Sequence, residues 1–146
     1  MPAKPRPPAK PRPPARPHRR AKPRPAAGKD PRSIALYHAH VYYDPLRTRG
    51  RAERLRRRVA ARFPDAKLGR WHDEPVGPHP RSMYQIAFPD HLLGSFLPWL
   101  MLNREGLTVL LHPETGDDYR DHTAHACWLG GVLRLRVARL RKSARP

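Results

Sequence analysis

Nine histidines stand in a chain of 146 residues, and imidazoles are well suited to hold a metal or carry protons near neutral pH. His38 and His40 flank Ala39, so on a strand both rings face one side. Alone, such a pair is more often a hydrogen-bonded feature of a sheet. His79 lies in Pro75-Val-Gly-Pro-His-Pro80, and His112 closes the apolar run from Leu107. His122 and His125 occur in Asp121-His-Thr-Ala-His125 and share a face if that segment is helical. They are acid/base candidates beside a metal; the alternative is a helix start capped by Asp121, with one ring buried beside Trp128. His72 reads as a strand-end polar residue, His91 as a solvated one near a helix start, and His18 belongs to the N-terminal segment.

An iron centre built from histidines and one carboxylate keeps open positions for substrate and dioxygen. Glu114, Glu74 and Asp121 are the carboxylates in reach by sequence, although each also reads as a loop or cap residue. An all-histidine set stays open. Trp71, Trp99 and Trp128 read as core anchors, any one of which could stack on an aromatic substrate. Cys127, among apolar neighbours, reads as a small buried hydrophobe. No P-loop, GxGxxG, HExxH or GxSxG occurs.

Regular elements must position these groups. Ile34 to Tyr43 is rich in β-branched and aromatic residues and stops at Asp44-Pro45, predicting a strand. Ile34, Leu36, His38, His40 and Tyr42 share one of its faces. A helix follows, with Thr48 as N-cap, Ala52, Leu55, Val59 and Phe63 at helical spacing, and arginines on the wet side. Ala66–His72 and Ser82–Phe88 read as strands. A second helix starts near Asp90, is kinked or interrupted by Pro98 and stops at Gly106. Leu107–Leu111 is a fourth strand, and residues 113–133 are a polar loop followed by Ala124-His-Ala-Cys-Trp-Leu129.

Strand–helix–strand–strand–helix–strand is the ferredoxin-like order, an α+β sandwich on an antiparallel sheet. In the expected strand order 4-1-3-2, strand 1 lies between a parallel strand 3 and an antiparallel strand 4. His38, His79 and His112 then meet at one sheet edge, with His40 a step further on. A sheet with one open face leaves such a site exposed, which predicts a homodimer covering it.

Charge divides the chain. Residues 1–32 carry eleven Lys/Arg against Asp30, 33–133 carry thirteen against eleven acids, and 134–146 carry six and no acid. The expected domain is therefore 33–133, between a disordered Pro/Lys/Arg-rich tail at 1–32 and a basic tail at 134–146. The tails suit weak contact with nucleic acid or another polyanion, or serve only solubility. One cysteine excludes an internal disulfide. The lack of a roughly 20-residue apolar stretch or a signal h-region predicts a cytoplasmic protein without membrane contact.

Tyr37-His-Ala-His-Val-Tyr-Tyr-Asp-Pro45, Pro75-Val-Gly-Pro-His-Pro80, Pro98-Trp-Leu100, Leu111-His-Pro-Glu-Thr-Gly116 and Asp121-His-Thr-Ala-His-Ala126 with Trp128 together resemble the DOPA 4,5-dioxygenase family. The resemblance covers about residues 34–130; the basic tails fall outside it. It implies a metal-dependent extradiol dioxygenase opening DOPA or a related catechol with O2, in a ferredoxin-like, often dimeric domain. Fe(II), or another divalent metal, would be held by His38, His79 and His112, with His40 next, and His122 and His125 would move protons. The contrasting readings are a non-enzymatic metal- or ligand-binding protein and a nucleic-acid-associated one dominated by its basic ends.

Overall fold

The computed structural model describes residues 28–141. The N-terminal tail up to residue 27, His18 with it, and residues 142–146 lie outside the described residues. A 3-10 turn at Pro31–Ser33 leads into β1 (Leu36–Tyr42), α1 (Arg49–Arg62), β2 (Lys67–Leu68) and β3 (Met83–Pro89). A 3-10 turn at Asp90–Leu92 then opens α2 (Leu93–Asn103), followed by β4 (Val109–Pro113), α3 (Asp118–Asp121), β5 (Cys127–Leu129) and α4 (Ala138–Arg141).

The result is an α+β fold on one antiparallel sheet of five strands in the order β2-β3-β1-β4-β5. The expected parallel pairing of the first and third strands is overturned. Leu36 lies opposite Pro89 and Tyr42 opposite Met83, so β3 runs against β1. The reason is the crossover: α1 returns the chain so that β2 follows the direction of β1. The strand slotted between them, antiparallel to β2, must oppose both. The strand expected over Ala66–His72 shrinks to Lys67–Leu68 plus a bridge from His72 to Met83. Between these, Trp71 turns to pack edge-on against Tyr43 and Tyr84.

Alternation along β1 separates two chemistries. Ala39, Val41 and the following Tyr43 pack with Ala52, Leu55 and Val59 of α1, Phe96 and Leu100 of α2, and Tyr84, Ile86 and Phe88 of β3. At about 1.5–3 kcal/mol per fully buried large apolar side chain, this helical layer dominates the stability. On the other face, Tyr42, Met83 and Leu110 pack against Val76, Ala126, Trp128, Leu133 and Leu135, all from connections and β5. That second face is therefore closed within one chain. The premise that an open sheet would leave histidines exposed does not hold.

Thr48 does precede α1, but its hydroxyl accepts from Asp44 N instead of capping the helix. Pro98 does not break α2, which runs through it. The carbonyl its ring faces is that of Gly94, at a turn with open space around it. Beyond α2 the chain turns with positive φ at both Glu105 (52°) and Gly106 (77°). Glu105 is held there by Arg54 and Arg58 of α1. Residues 134–141, placed by the sequence in the basic tail, bond back to the domain through Arg136 N to Pro78 O and bury Leu140. No helix among the described residues is long and apolar enough to cross a membrane.

Candidate metal centre

His40 is the hub. It projects from the middle of β1 onto the face away from the helices and is 3% exposed. His112 lies across the β1–β4 pairing, opposite His38, and its Nε2 stands 3.0 Å from Nε2 of His40. His79 arrives by another route than the expected sheet edge. β3 begins beside Tyr42, at the far end of β1. The loop before β3 therefore folds back over the sheet face, bringing the His79 ring within 4.1 Å of His40, centroid to centroid. His122, just beyond α3, closes the group 4.1 Å from His112 and 5.6 Å from His40.

Backbone and hydroxyl partners fix these rings. His112 Nδ1 donates to the Pro113 carbonyl at 2.8 Å, and His122 Nδ1 to the Asp118 carbonyl at 2.8 Å. In both, a neutral ring then carries its lone pair on Nε2. His79 Nδ1 shares a 2.7 Å hydrogen bond with the Tyr42 hydroxyl, and Tyr42 in turn stacks on Trp128. His38 Nε2 lies 3.3 Å from Glu114 Oε2. Among the described residues, His40 Nδ1 is buried without a hydrogen-bond partner, a costly state for a polar atom.

The electrostatics favour the neutral form of His38, His40, His79 and His112. Burial, reinforced by the imidazoles of His122 and His112, pushes His79 down to about 3. Burial takes His112 to about 4 against the opposing Pro113 hydrogen bond. His40 is held well below its usual value by burial and then by His79 and His112. Burial also lowers His38, with Glu114 partly opposing. Neutral imidazoles packed this closely offer lone pairs to a cation, and so fit a divalent ion. Among the described residues, two sets have ligand atoms within 4.8 Å of one another: His38, His40 and His112, and His40, His79 and His122.

The expected residues are thus mostly brought together. His38, His40, His79 and His112 share one cluster with His122. His125 turns instead to the buried carboxylate of Asp121, Nδ1 to Oδ1 at 3.1 Å. Asp121 does not cap a helix start; it ends α3, which Asp117 caps. Among the described residues no carboxylate joins either metal-holding set. Glu114 backs His38, while Glu74 lines a separate cleft of about 690 Å³ with Asp73, Arg47 and Arg81. His72 is a bridge residue, and exposed His91 sits 3.5 Å from Asp65. Cys127 proves exposed rather than buried, because β5 is the edge strand and Cys127 opens it. Tyr42 escaped the reading by residue type, although its place two residues after His40 put it on the same face.

A family model described as the Dopa 4,5-dioxygenase family matches residues 37–139. The chain belongs to that family. A DOPA 4,5-dioxygenase from Amanita muscaria is 33% identical over 116 residues, covering 73% of this chain and 50% of that protein. An uncharacterised 21.2 kDa protein from Botryotinia fuckeliana is 36% identical over 99 residues, 62% of this chain and 54% of its own. The chain spans about half the length of these curated relatives. A crystal structure of a candidate dioxygenase from Nostoc punctiforme is 49% identical and superposes with a TM-score of 0.77, over 80% of this chain and all of that one. The matched span contains every member of the histidine cluster.

Proposed function

We propose that this protein is a metal-dependent extradiol dioxygenase that opens the ring of DOPA or a related catechol. The observation that carries the reading is the convergence of imidazoles on buried His40 within a dioxygenase-family domain. We take its two interleaved β-α-β units, with β5 added at one edge, as a ferredoxin-like variant.

Proton bookkeeping selects among the ligands. His112 gives its Nδ1 proton to Pro113, so its Nε2 can only accept, and His40 must donate from its own Nε2. A neutral His40 then keeps its lone pair on Nδ1, the orphaned atom. His40 Nδ1 with His79 and His122 is accordingly the triad we propose to hold Fe(II). Tyr42 and the Asp118 carbonyl orient its outer members, and His112 orients His40. A redox-active ion bound here supplies the meeting place at which a catechol and dioxygen exchange charge. The chain's own residues do the rest. His38, backed by Glu114 and less buried than His40, takes the catechol hydroxyl proton at a ring nitrogen and returns it to the opened product. Val76 of the loop before β3 and Trp128 cover the sheet face beside the rings against bulk water. Both atoms of dioxygen enter the product as one ring carbon–carbon bond breaks.

Anaerobic loading with Fe(II), followed by air and a panel of catechols including DOPA, tests this. Yellow ring-opened product with matching oxygen uptake is expected. Tight metal binding with no catechol consumed would leave a metal-binding protein without ring-opening activity. We further propose that the protein acts as a homodimer in the cytoplasm, and that its basic termini make weak polyanion contacts.

A further inference from the structure

The fourteen residues of α1 hold seven arginines against one acid, Glu53. The acids within reach are already engaged: Glu53 and Asp73 meet Arg49, and Glu105 meets Arg54 and Arg58. Exposed Arg51, Arg57 and Arg62 form no salt bridge among the described residues. Ala52, Leu55 and Val59 hold the opposite side of the helix in the core, so the surplus charge faces outward. Arg51, Arg54, Arg58 and Arg62 recur at three- and four-residue steps and form one row, with Arg57 beside it. The other long helix of that layer, α2, carries no charged residue and neutralises none of it.

We infer that the exposed face of α1 docks on duplex DNA through its phosphates. Guanidinium groups bind phosphate oxygens through paired hydrogen bonds. The row from Arg51 to Arg62 rises about 16 Å along the helix axis. That exceeds the roughly 12 Å major groove of B-DNA, so its ends reach phosphates on both rims. The deep, narrow major groove of an RNA duplex gives no such seat. An unpaired strand needs exposed aromatic rings to stack its bases, and no Phe, Tyr or Trp among the described residues is exposed. Trp71 and Trp99 lie instead beneath Arg49, Arg56 and Arg58. Contacts to phosphate alone read no base edge, so binding is independent of sequence. The surface belongs to the folded domain and lies across the sheet from His40, so it does not rest on the ring-opening reading.

The test is fluorescence anisotropy of a labelled mixed-sequence DNA duplex, titrated with the full chain over a series of salt concentrations. Saturable binding is expected, with log Kd rising linearly with log salt. The triple variant Arg51→Gln, Arg57→Gln, Arg62→Gln should bind about tenfold or more weakly. It should also lower the salt slope by about 2–3, close to one per lost phosphate contact. All three positions are exposed, so the variant folds and keeps its metal affinity. A charge-matched variant of the N-terminal tail, Lys4→Gln, Arg6→Gln, Lys10→Gln, should lower the slope less. No saturable binding, an unchanged slope in the α1 variant, or equal losses in both variants, which would report net charge alone, would each overturn the assignment. So would tighter binding of a single strand or an RNA duplex, or binding confined to phosphatidylserine vesicles, which would give the face to a membrane. Neither metal nor catechol is read out, so failure of ring opening leaves the result standing.

Discussion

A buried ring nitrogen without a partner, His40 Nδ1, makes sharp demands on mutagenesis. His40→Ala, His79→Ala and His122→Ala should each abolish stoichiometric binding of Fe(II) or Co(II), read by competition with a chromophoric chelator. His38→Ala should bind metal normally and lose turnover. Metal retention in His122→Ala would refute the chosen triad. Tyr42→Phe removes only the hydroxyl that orients His79. It should weaken metal binding by about 10–100-fold, the usual effect of losing a ligand's outer partner, while leaving the stacking on Trp128. Much of this was legible in the residues: period-two alternation put His38 and His40 on one face, and Tyr42 followed by the same rule. The parting of His125 from His122 was not, because it depends on α3 ending after four residues. A longer helix would have carried His125 round with it.

Elements bring the ligands together, and one buried side chain ties two of them. Asp121 at the end of α3 binds the backbone and hydroxyl of Thr115 just past β4, linking the segment that carries His122 to the strand that carries His112. Asp121→Ala should cost about 2–3 kcal/mol by urea unfolding, since hydrogen bonds to a charged group are lost together. Asp121→Asn, which keeps one acceptor oxygen, should cost less. An Ala variant as stable as the parent would show that the tie holds nothing. In the helical layer, Leu55→Ala should cost about 2–5 kcal/mol, with metal affinity unchanged in the folded fraction. Hydrophobic periodicity marked both helices and the order of the long strands. It could not reveal strand direction, which follows from the crossover through α1, nor the loop that lays His79 over the sheet. His79 thus reaches His40 over the sheet face and not from the edge expected of it.

For the whole molecule, burying neutral imidazoles on a closed sheet face makes acid the natural denaturant. Unfolded histidines take up a proton near pH 6.5, whereas His79 and His112 resist until about 3 and about 4 because of burial. Between those limits the unfolded chain binds more protons. Stability is therefore fully present above the unfolded value and falls as pH drops through this window. Each such ring contributes up to about 1.4 kcal/mol per pH unit, and His40 shifts in the same direction. Asp121 acts in a lower window: burial pushes it up, but hydrogen bonds from Thr115 and His125 outweigh this and hold it below its ordinary 3.8. Chelator-treated protein should accordingly lose about 2 kcal/mol or more between about pH 7 and about pH 5 in urea titrations. His79→Gln and His112→Gln should flatten that slope even if they lower the plateau. A bound divalent ion competes with protons for the same lone pairs, so saturating metal should shift the loss to lower pH. A slope that metal leaves unmoved, with the two Gln variants also without effect, would mean that these imidazoles neither stay neutral in the fold nor meet an ion there.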